Sequence, residues 1–540
     1  MIAIPVMGFA LADYVDGTGL GSQHHISSNN IYYFLVVHFD RWMWAFSALL
    51  GAVALIFLRR GGGAAVDVWP VQPDRRIIPG VAILAGVVAA IGTHTVCLNH
   101  PLSMDEFLSN FQARIFLSGR IFAPLGPIWN DFGDQMTPAL ATYDPIRATW
   151  TSTYLPVYAA MRAPFLALGA DTLLNPLLVL VSVGLIAAVA RRIWPTDPWA
   201  PAIAAIFLAV SPQFLITGMT PYSMPAHLCL NLLWLSLYLR DDRLGLALAP
   251  WVGVAALGLH QPNIHAIFVA PFLLRMVWER RWGRVAYFAP VYMLGCLLWL
   301  YWMQIRAPIP AVGESVAVRS HFDFILGLFS APQQLTWINT GVLVAQVFSW
   351  QTWVVGFCAL VSLGRFRSFP KTLVDLLAGI LLSLAFYFFA SVGHGHGWGN
   401  RFMLPFLGGF ILLAVAGWKS LAGLPQRRVL QVVSLAITLA VEFPYRCFEV
   451  FRVTEPFAAA DRYLRACKEP FVVVDSLPIW YGQDLVRNDP LLESTPKFFT
   501  KYGLKKSQVY ALEKMGKVRL VTAGELSGLG LALRRRESPP

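Results

Sequence analysis

The sequence predicts an all-α polytopic membrane protein with a small α/β domain at its C-terminal end. Of its 540 residues, 56% are hydrophobic and only 13% are charged, and the mean hydropathy is +0.57. A soluble globular protein could not bury so many apolar residues in a single core. The apolar residues also gather in long runs, and a helix of about 20 such residues crosses a bilayer. We therefore expect a chain that crosses a membrane many times.

The charged residues and cysteines exclude several other classes. A formal net charge of +12 fits a nucleic-acid partner only if the basic residues form a patch. Here the arginines lie at the ends of apolar runs, where they set membrane topology. We therefore expect no nucleic acid as a partner. The six cysteines show neither a CxxC spacing nor a paired ligand pattern, so no disulfide framework and no cysteine zinc site is predicted.

About twelve apolar segments are long enough to be predicted as transmembrane helices. They cover residues 42–58, 77–97, 172–190, 201–217, 222–239, 244–260, 263–278, 285–304, 338–361, 372–391, 401–418 and 429–446. Clusters of arginine and lysine fall in alternate connections, which the positive-inside rule assigns to the cytoplasm. The other connections, at 98–171, 261–262, 305–337 and 392–400, and both termini are therefore expected to face outward.

This topology predicts three parts of the chain. Residues 1–41 form an outward N-terminal segment, residues 42–446 form the transmembrane domain with a long outer loop at 98–171, and residues 447–540 form a small, outward-facing, soluble α/β domain. In the last part, the apolar run 471–474 predicts a buried strand and residues 518–521 predict another.

An adjacent pair of acids in the outer loop is the best candidate for catalytic carboxylates. Asp105 and Glu106 begin an amphipathic helical pattern, which we expect to lie in the membrane interface. Ser103 and Glu106 have the spacing of a capping box, in which Glu106 binds the amide of the N-cap residue. Asp105 falls in the first turn, where the helix dipole favours a carboxylate. At helical spacing, Asp105, Ser109 and Gln112 share one face.

Four segments carry a resemblance to a known family. They are Asp105-Glu106 with Arg114, Gly119 and Pro124; Tyr154-Leu155-Pro156-Val157-Tyr158; Arg191-Arg192 with Ser211-Pro212; and Asn400-Arg401-Phe402-Met403-Leu404-Pro405. In this order, across residues 77–420, the pattern resembles the membrane glycosyltransferases of the GT-C class. It is most similar to the relatives of the lipid A aminoarabinose transferase and of the protein O-mannosyltransferases.

The resemblance implies an enzyme that transfers a hexosyl or pentosyl group from a polyprenyl-phosphate donor. The acceptor is a hydroxyl of a lipid, glycan or protein at the outer membrane face, and the anomeric carbon is inverted. The implied partners are the lipid-linked donor, the acceptor and membrane lipids, and the implied location is a bacterial inner membrane with a periplasmic active site. Relatives often have an acid and a lysine where this chain has Thr220-Pro221-Tyr222 and His260-Gln261-Pro262.

The chemistry of this reaction suggests roles for several side chains. An acceptor hydroxyl is a poor nucleophile and needs a positioned base, which we predict to be Asp105. The departing lipid phosphate needs cations. Arg401 is the first candidate because it begins an apolar helix at the outer membrane face. Arginine is disfavoured at that face, so its presence there suggests a function. The competing explanation is that its side chain extends to the lipid headgroups. Arg114 and Arg147 are further candidates.

Polar and aromatic residues of the outer loops are predicted to bind substrate. His394 and His396 lie in a Gly-rich loop and could bind phosphate, orient sugar hydroxyls or ligate a metal, unless the loop is a flexible polar turn. Trp398 could stack on a sugar. Tyr154 and His260 are the other predicted substrate-binding residues, although the presence of His260 is also explained by hydrogen bonding within its loop. No ligand spacing defines a metal site; no cofactor is certain, and a divalent metal is left open.

Two other classes of function fit a chain of this type. A polytopic transporter or lipid flippase would also have about twelve spans, but it would more naturally show charges within spans and an internal repeat. A scaffold that binds partners through residues 447–540 would need no catalytic base. The sequence favours the enzyme because it has an acidic pair in an outer loop and shows neither evident charges in the middle of spans nor an evident repeat.

Overall fold

The computed structural model describes residues 2–22, 30–59, 72–307, 331–390, 397–424 and 426–534. Most of this part of the chain is helical. Six of its helices are long and apolar enough to cross a membrane: Ile31–Phe57, Ile77–Thr95, Leu174–Ile193, Trp282–Arg306, Lys371–Phe389 and Arg427–Arg465. The chain is a multi-pass membrane protein with six candidate spans, or up to eight if each of two bent helix pairs is one span.

The two bent pairs are interrupted by short breaks. Ala200–Ala209 and Pro212–Gly218 meet at 61°, and Gln334–Ser349 and Trp353–Leu363 meet at 112°. At the first break, Pro212 has no amide hydrogen with which to continue the preceding helix. The hydroxyl of Ser211 instead accepts a hydrogen bond from the amide of Phe214 at 3.2 Å and so starts the second helix.

Several apolar helices are shorter than a full span. They are Met224–Tyr238, Arg243–Leu257, Pro262–Trp278 and Leu407–Ser420, the last preceded by a 3-10 turn at Leu404–Phe406. Each of the twelve apolar segments of the sequence therefore contains a helix or a bent pair. Because only six to eight of these meet the length of a span, the count of twelve spans stays a prediction.

The N-terminal helices pack against the bundle. Ala3–Gly17 is followed by a long helix that runs from Asn30–Leu35 through a π-helical turn, Val36–Asp40, into Arg41–Arg59. Their apolar residues form a cluster with the helix Gln334–Ser349. The indole of Trp44 also donates a hydrogen bond to the hydroxyl of Ser349 at 2.9 Å. This end of the chain is thus tied to the second bent pair.

A fully buried group of charged residues joins three of these helices. Arg446 lies 2.7 Å from Asp40 and 2.7 Å from Glu449. Asp40 also accepts hydrogen bonds from the side chains of Gln346 at 2.7 Å and Trp350 at 2.8 Å. The guanidinium lies 4.0 Å from the centre of the Trp350 ring. We call this set the Arg446 centre.

The outer loop contains a sheet that the all-α prediction missed. The helix Met104–Leu117, called the acidic helix below, precedes an antiparallel sheet of order β1-β3-β2. Its strands are β1 Ala123–Pro124, β2 Ala141–Asp144 and β3 Thr149–Ser152, and it is accompanied by the helices Pro127–Asn130, Gly133–Met136 and Val157–Ala167. Trp150 of β3 pairs with Ala123 on one side and Tyr143 on the other. Strands of two to four residues are too short for a clear alternation pattern.

The C-terminal residues form a parallel sheet of order β5-β4-β6. Its strands are β4 Phe471–Val474, β5 Lys497–Thr500 and β6 Val518–Val521, with a 3-10 turn at Gly482–Leu485 and helices at Lys506–Met515 and Ala523–Gly528. The two strands predicted from sequence are confirmed. Phe471 pairs with Lys497 and with Val518. The helix Phe443–Arg465 leads into this sheet and contains the predicted domain boundary at 446/447.

The acidic helix and the two sheets share one apolar core. Its buried members are Leu108, Phe111, Ile115, Ala123, Leu125, Phe132, Met136, Trp150, Phe471, Val473, Phe499 and Leu512. Hydrogen bonds reinforce the contact: the Trp150 indole donates to the Pro490 carbonyl at 2.8 Å, and Asn488 donates to the Met136 carbonyl at 2.8 Å. The outer loop and the C-terminal sheet therefore form one layer, which we call the cap, on the helical bundle.

Candidate active site

The acidic helix begins with the predicted capping box. The Ser103 hydroxyl accepts a hydrogen bond from the Glu106 amide at 3.3 Å, and the Glu106 carboxylate accepts one from the Ser103 amide at 2.9 Å. Glu106 is fully buried. Burial raises its pKa to about 7, although the bond from the Ser103 amide acts in the opposite direction. The predicted capping box is thus confirmed, and the Glu106 side chain helps to fix the first turn, which carries Asp105.

Asp105 points from this first turn to two groups that are distant in sequence. Its Oδ2 atom lies 2.5 Å from Nη1 of Arg401, 296 residues away. Its Oδ1 atom accepts a hydrogen bond from the hydroxyl of Tyr154. The side chains of Asp105 and Arg401 are only 11% and 10% exposed. The structure therefore brings together the predicted base, the predicted phosphate ligand and the predicted substrate-binding tyrosine.

The surroundings keep this pair charged. Burial by itself would raise the pKa of Asp105, but the Arg401 guanidinium and the Tyr154 hydrogen bond hold that pKa below its usual value. Burial would likewise lower the pKa of Arg401, but Tyr222 and Asp105 raise it further than burial lowers it. At neutral pH, Asp105 is therefore an ionised carboxylate that can accept a proton.

Aromatic rings surround the Arg401 guanidinium. Arg401 donates a hydrogen bond to the Tyr222 hydroxyl at 3.2 Å. Its guanidinium carbon lies 5.4 Å from the ring centre of Tyr222 and 5.0 Å from that of Phe402, within the range of cation–π attraction. Sequence reasoning noted Tyr222 only as part of a departure from the family pattern. The sequence could have indicated Tyr222 only through its position in the short connection between the helices Pro212–Gly218 and Met224–Tyr238.

His260 adjoins the site through Tyr154. Its ring stacks on the Tyr154 ring with centres 4.0 Å apart and planes 29° apart. Burial lowers the pKa of His260 to about 4, so the imidazole is neutral at neutral pH. Tyr154 is therefore held by the Asp105 carboxylate at its hydroxyl and by His260 at its ring face. A neutral imidazole beside the site can donate and accept hydrogen bonds but adds no positive charge.

The segment before Arg401 is anchored in the bundle. The Asn400 side chain donates to the Leu343 carbonyl at 3.3 Å and accepts from the Met403 amide at 3.2 Å. The side chain of Gln213 donates to the Asn400 carbonyl. Trp398 is 2% exposed and packs in the main apolar core. The predicted binding residues His394 and His396 lie outside the described residues.

The other two predicted cations have different partners. Arg114, half exposed, lies 4.0 Å from Asp489. Arg147 lies 3.5 Å from Asp144 and donates to the Ile305 carbonyl at 2.9 Å. The structure thus groups Arg401 with Asp105, whereas the contacts of Arg114 and Arg147 are with residues outside that group. Within the ranges that the structure describes, no three His, Cys, Asp or Glu side chains gather in a group that could hold a metal ion.

The chain shares its fold with solved membrane glycosyltransferases of the GT-C class, the class that the sequence resembles. In particular, it is similar to ArnT from Cupriavidus metallidurans bound to undecaprenyl phosphate, with a TM-score of 0.50, 13% identity, and coverage of 82% of this chain and 88% of that one. The apo state of the same protein gives a TM-score of 0.51, with 12% identity and coverage of 81% and 88%.

A more distant structural match is the oligosaccharyltransferase AglB from Archaeoglobus fulgidus in complex with an inhibitory peptide and a dolichol-phosphate. Its TM-score is 0.39, with 12% identity and coverage of 83% of this chain and 69% of that one. No protein-family model and no curated protein sequence matches the chain. At these identities the similarity to solved structures establishes the fold and not the activity.

Proposed function

We propose that this protein is a membrane glycosyltransferase that moves a sugar from a polyprenyl-phosphate donor to an acceptor hydroxyl. The observation that carries the proposal is the contact between Asp105 and Arg401, a carboxylate and a guanidinium that meet beside Tyr154 and His260 on a GT-C fold. The similar fold of ArnT in its complex with undecaprenyl phosphate supports a lipid-phosphate donor.

In the proposed reaction, Asp105 is the base. The acceptor oxygen forms a bond to the anomeric carbon, and its proton passes to the Asp105 carboxylate. The bond between that carbon and the phosphate oxygen breaks, and the electron pair leaves with the polyprenyl phosphate. A single displacement of this kind inverts the anomeric carbon. Phosphate is already a good leaving group, so a strong general acid is not required.

Arg401 is proposed to bind the departing phosphate. Its guanidinium carries several N–H donors in a planar fork, which suits a carboxylate on one edge and a phosphate on another. Because the charge on the phosphate grows as the glycosidic bond breaks, a fixed cation stabilises the transition state more than the ground state. The contacts to Tyr222 and Phe402 fix the guanidinium before the donor arrives.

Tyr154 and His260 are proposed to line the acceptor side of Asp105. The Tyr154 hydroxyl orients the carboxylate, and the neutral His260 offers hydrogen bonds to sugar or acceptor hydroxyls. Glu106 is proposed to act on the reaction through the helix that it caps. The proposal leaves the donor sugar and the acceptor open.

We also propose the topology that the sequence predicts. The shorter apolar helices cross the membrane together with the six to eight longer spans and bring the count to about twelve, with both termini outward. Residues 1–41 are an outward segment, 42–446 the transmembrane domain and 447–540 the soluble α/β domain. The cap would then face the periplasm of a bacterial inner membrane.

The experiment is sugar transfer by purified protein from a panel of polyprenyl-phosphate sugars, with wild type beside Asp105→Asn and with and without a chelator. Turnover by wild type that is lost in the variant would establish the class and identify the donor. If the chelator abolished wild-type turnover, a metal would be needed as well. Full activity of Asp105→Asn would contradict the mechanism. Lipid translocation without any transfer would instead favour the transporter or flippase class.

A further inference from the structure

A polar cavity of about 230 Å³ lies between the acidic helix and the C-terminal part of the cap. The acidic helix lines it with Phe107, Asn110 and Arg114, which are spaced for one helical face. At 3.6 residues per turn this face is turned about 160° from Asp105. The cavity is therefore separate from the candidate active site, on the other side of the same helix.

Arg487 extends into this cavity from the C-terminal side, and its side chain is buried. Its Nε donates to the Asp484 carbonyl at 2.6 Å and its Nη2 to the Leu102 carbonyl at 3.0 Å. Its Nη1 lies 3.2 Å from Nε2 of His100, a ring whose pKa burial lowers to about 3. These bonds hold the guanidinium in place, but all three partners are uncharged at neutral pH.

The charge of Arg487 has no close counter-ion in the described part of the chain. Among those residues, no carboxylate oxygen lies within 4.0 Å of its guanidinium; the nearby carboxylates that act on it, Asp461 and Asp484, are farther away. A buried charge without a partner is costly. Three hydrogen bonds also leave two of the five N–H donors of an arginine for another group.

The other ionisable groups of the cavity balance one another. Asp461 accepts a hydrogen bond from Arg465 at 2.9 Å. Asp489 lies 4.0 Å from Arg114 and accepts hydrogen bonds from the amides of its own turn. Three arginines and two aspartates line the cavity, so its lining has one positive charge in excess. Arg487 is the buried one of the three arginines, whereas about half of the Arg114 and Arg465 side chains is exposed. A ligand with a negative group would supply the missing charge.

We propose that this cavity is a binding site for an anionic group, a phosphate or a carboxylate. Arg487 supplies the buried charge, Arg114 closes the outer side, and Asn110 offers an amide. Planar guanidinium groups bind these two anions through paired hydrogen bonds. The site links the acidic helix to the C-terminal part of the cap, and it does not depend on the proposed transfer reaction.

The test is the thermal stability of the full-length protein in phosphatidylcholine nanodiscs, titrated with inorganic phosphate and, separately, with acetate, against chloride at equal ionic strength. A ligand that binds only the folded state raises Tm with a saturable dependence on its concentration. We expect such a rise with at least one of the two anions. No saturable rise with either anion, and none from an anionic lipid, would overturn the proposal.

Matched variants locate the effect. Arg114→Gln should weaken the binding about tenfold or more, because a hydrogen bond between charged groups contributes about 1.5–3 kcal/mol. Arg487→Gln should abolish the binding. Arg147→Gln, a change of the same type at an arginine outside the cavity, should bind like wild type. Equal binding by wild type and Arg114→Gln would overturn the proposal even if Arg487→Gln failed to fold.

Two further arms identify the source of the anion and separate this site from the active site. Stabilisation by phosphatidylglycerol nanodiscs that Arg114→Gln removes, without an effect of free anions, would assign the site to a lipid headgroup. Saturable stabilisation by phosphate or acetate would assign it to a soluble anion. Asp105→Asn should retain the binding in either case, so failure of the transfer reaction would not affect this result.

Discussion

Arg401 and Arg446 each contact a carboxylate from a distant part of the chain, but their surroundings differ. In the Arg401 pair, the side chains of Arg401 and Asp105 are 10% and 11% exposed, and the partner acid lies in an outer-loop helix. In the Arg446 centre, Arg446 and Asp40 are 0% and 1% exposed, and both lie in long apolar helices. Arg446 also contacts a second acid, Glu449.

The difference shows that an arginine–carboxylate contact does not by itself indicate a catalytic site. The Arg446 centre is closed by Trp350 and Gln346, so a substrate has no direct access to it. A closed ion pair is costly to bury and destabilising to break. The Arg401 pair keeps about a tenth of its side-chain surface exposed and lies next to a hydroxyl and a neutral imidazole. Changes at the Arg401 pair should therefore affect catalysis, and changes at the Arg446 centre should affect folding.

The largest effect should come from Asp105→Asn. Loss of the base should lower the rate of sugar transfer by about 10²–10⁴-fold, because a positioned general base contributes a factor of that order. The measurement is the initial rate per amount of monodisperse protein, with the donor identified in the panel experiment. A rate within about tenfold of wild type would remove Asp105 from the role of base and leave its contact with Arg401 structural.

A paired comparison of Arg446→Gln and Arg401→Gln should separate folding from catalysis. Arg446→Gln leaves two buried carboxyls without their cation and should lower the free energy of unfolding by about 3–5 kcal/mol. Arg401→Gln should lose less stability, because it leaves one carboxyl without its cation rather than two, and Asp105 keeps its hydrogen bond from Tyr154, but it should lose most of its transfer rate. Denaturation in detergent and rate assays on the same preparations measure both quantities. Equal destabilisation by the two changes would contradict the distinction.

Tyr154→Phe should change the pH dependence of transfer. The Tyr154 hydrogen bond helps to hold the pKa of Asp105 below its usual value, so its removal should shift the acid limb of kcat/KM to higher pH. The lowered pKa of Asp105 also affects stability. A carboxyl whose pKa is lowered by folding stabilises the folded state fully at neutral pH, and this stabilisation is lost only as pH falls through the folded-state pKa.

The control for this change is Tyr143→Phe, which removes a hydroxyl bonded to the Asn130 carbonyl at 2.7 Å in the outer sheet. Its acid limb should coincide with that of wild type. If Tyr154→Phe and Tyr143→Phe gave the same pH profile, the Tyr154 contact would have no influence on the base.

The smallest effect should come from Glu106→Gln, although Glu106 adjoins Asp105, where the largest effect is expected. Glutamine also fits the third position of a capping box, and because the pKa of Glu106 is raised to about 7, the fold already accommodates the neutral form alongside the ionised one at neutral pH. We expect a loss of about 1 kcal/mol or less at neutral pH.

The pH dependence of stability provides a direct check of this interpretation of Glu106. A raised carboxyl pKa adds stability at low pH that is lost as pH rises through about 7. Wild type should show this loss, and Glu106→Gln should not. A drop in transfer as large as that of Asp105→Asn would instead make Glu106 a second catalytic carboxylate.

Local patterns in the sequence predicted local structure well. The capping box at Ser103 and the strand at Phe471–Val474 follow from short-range chemistry, and each apolar segment contains a helix. Sequence reasoning also selected Asp105, Tyr154, His260 and Arg401, but not the direct contact between Asp105 and Arg401. That contact depends on how the bundle packs, which no local pattern specifies.

Other features of the site region had no sequence signal of their own. Tyr222 is an ordinary tyrosine in a short connection until packing places it beside Arg401. Arg487 lies in a polar segment in which a buried cation is not expected, and its burial results from contacts with Leu102 and His100, several hundred residues earlier. Arg114 was selected as a ligand of the departing lipid phosphate, yet it lies beside Asp489 and lines the cavity of Arg487. Charge type can be read from sequence, whereas burial and partner cannot.

The shared core of the cap limits which segments of this protein can be exchanged by recombination or by protein engineering. Trp150 of the outer sheet and Phe499 of the C-terminal sheet belong to the same cluster as Phe111 of the acidic helix. A recombination event that exchanged either segment alone would join mismatched surfaces beneath the helix that carries Asp105. Productive chimeras should therefore be those that exchange residues 98–171 and the C-terminal segment together, as one heritable unit divided between two distant stretches of the gene.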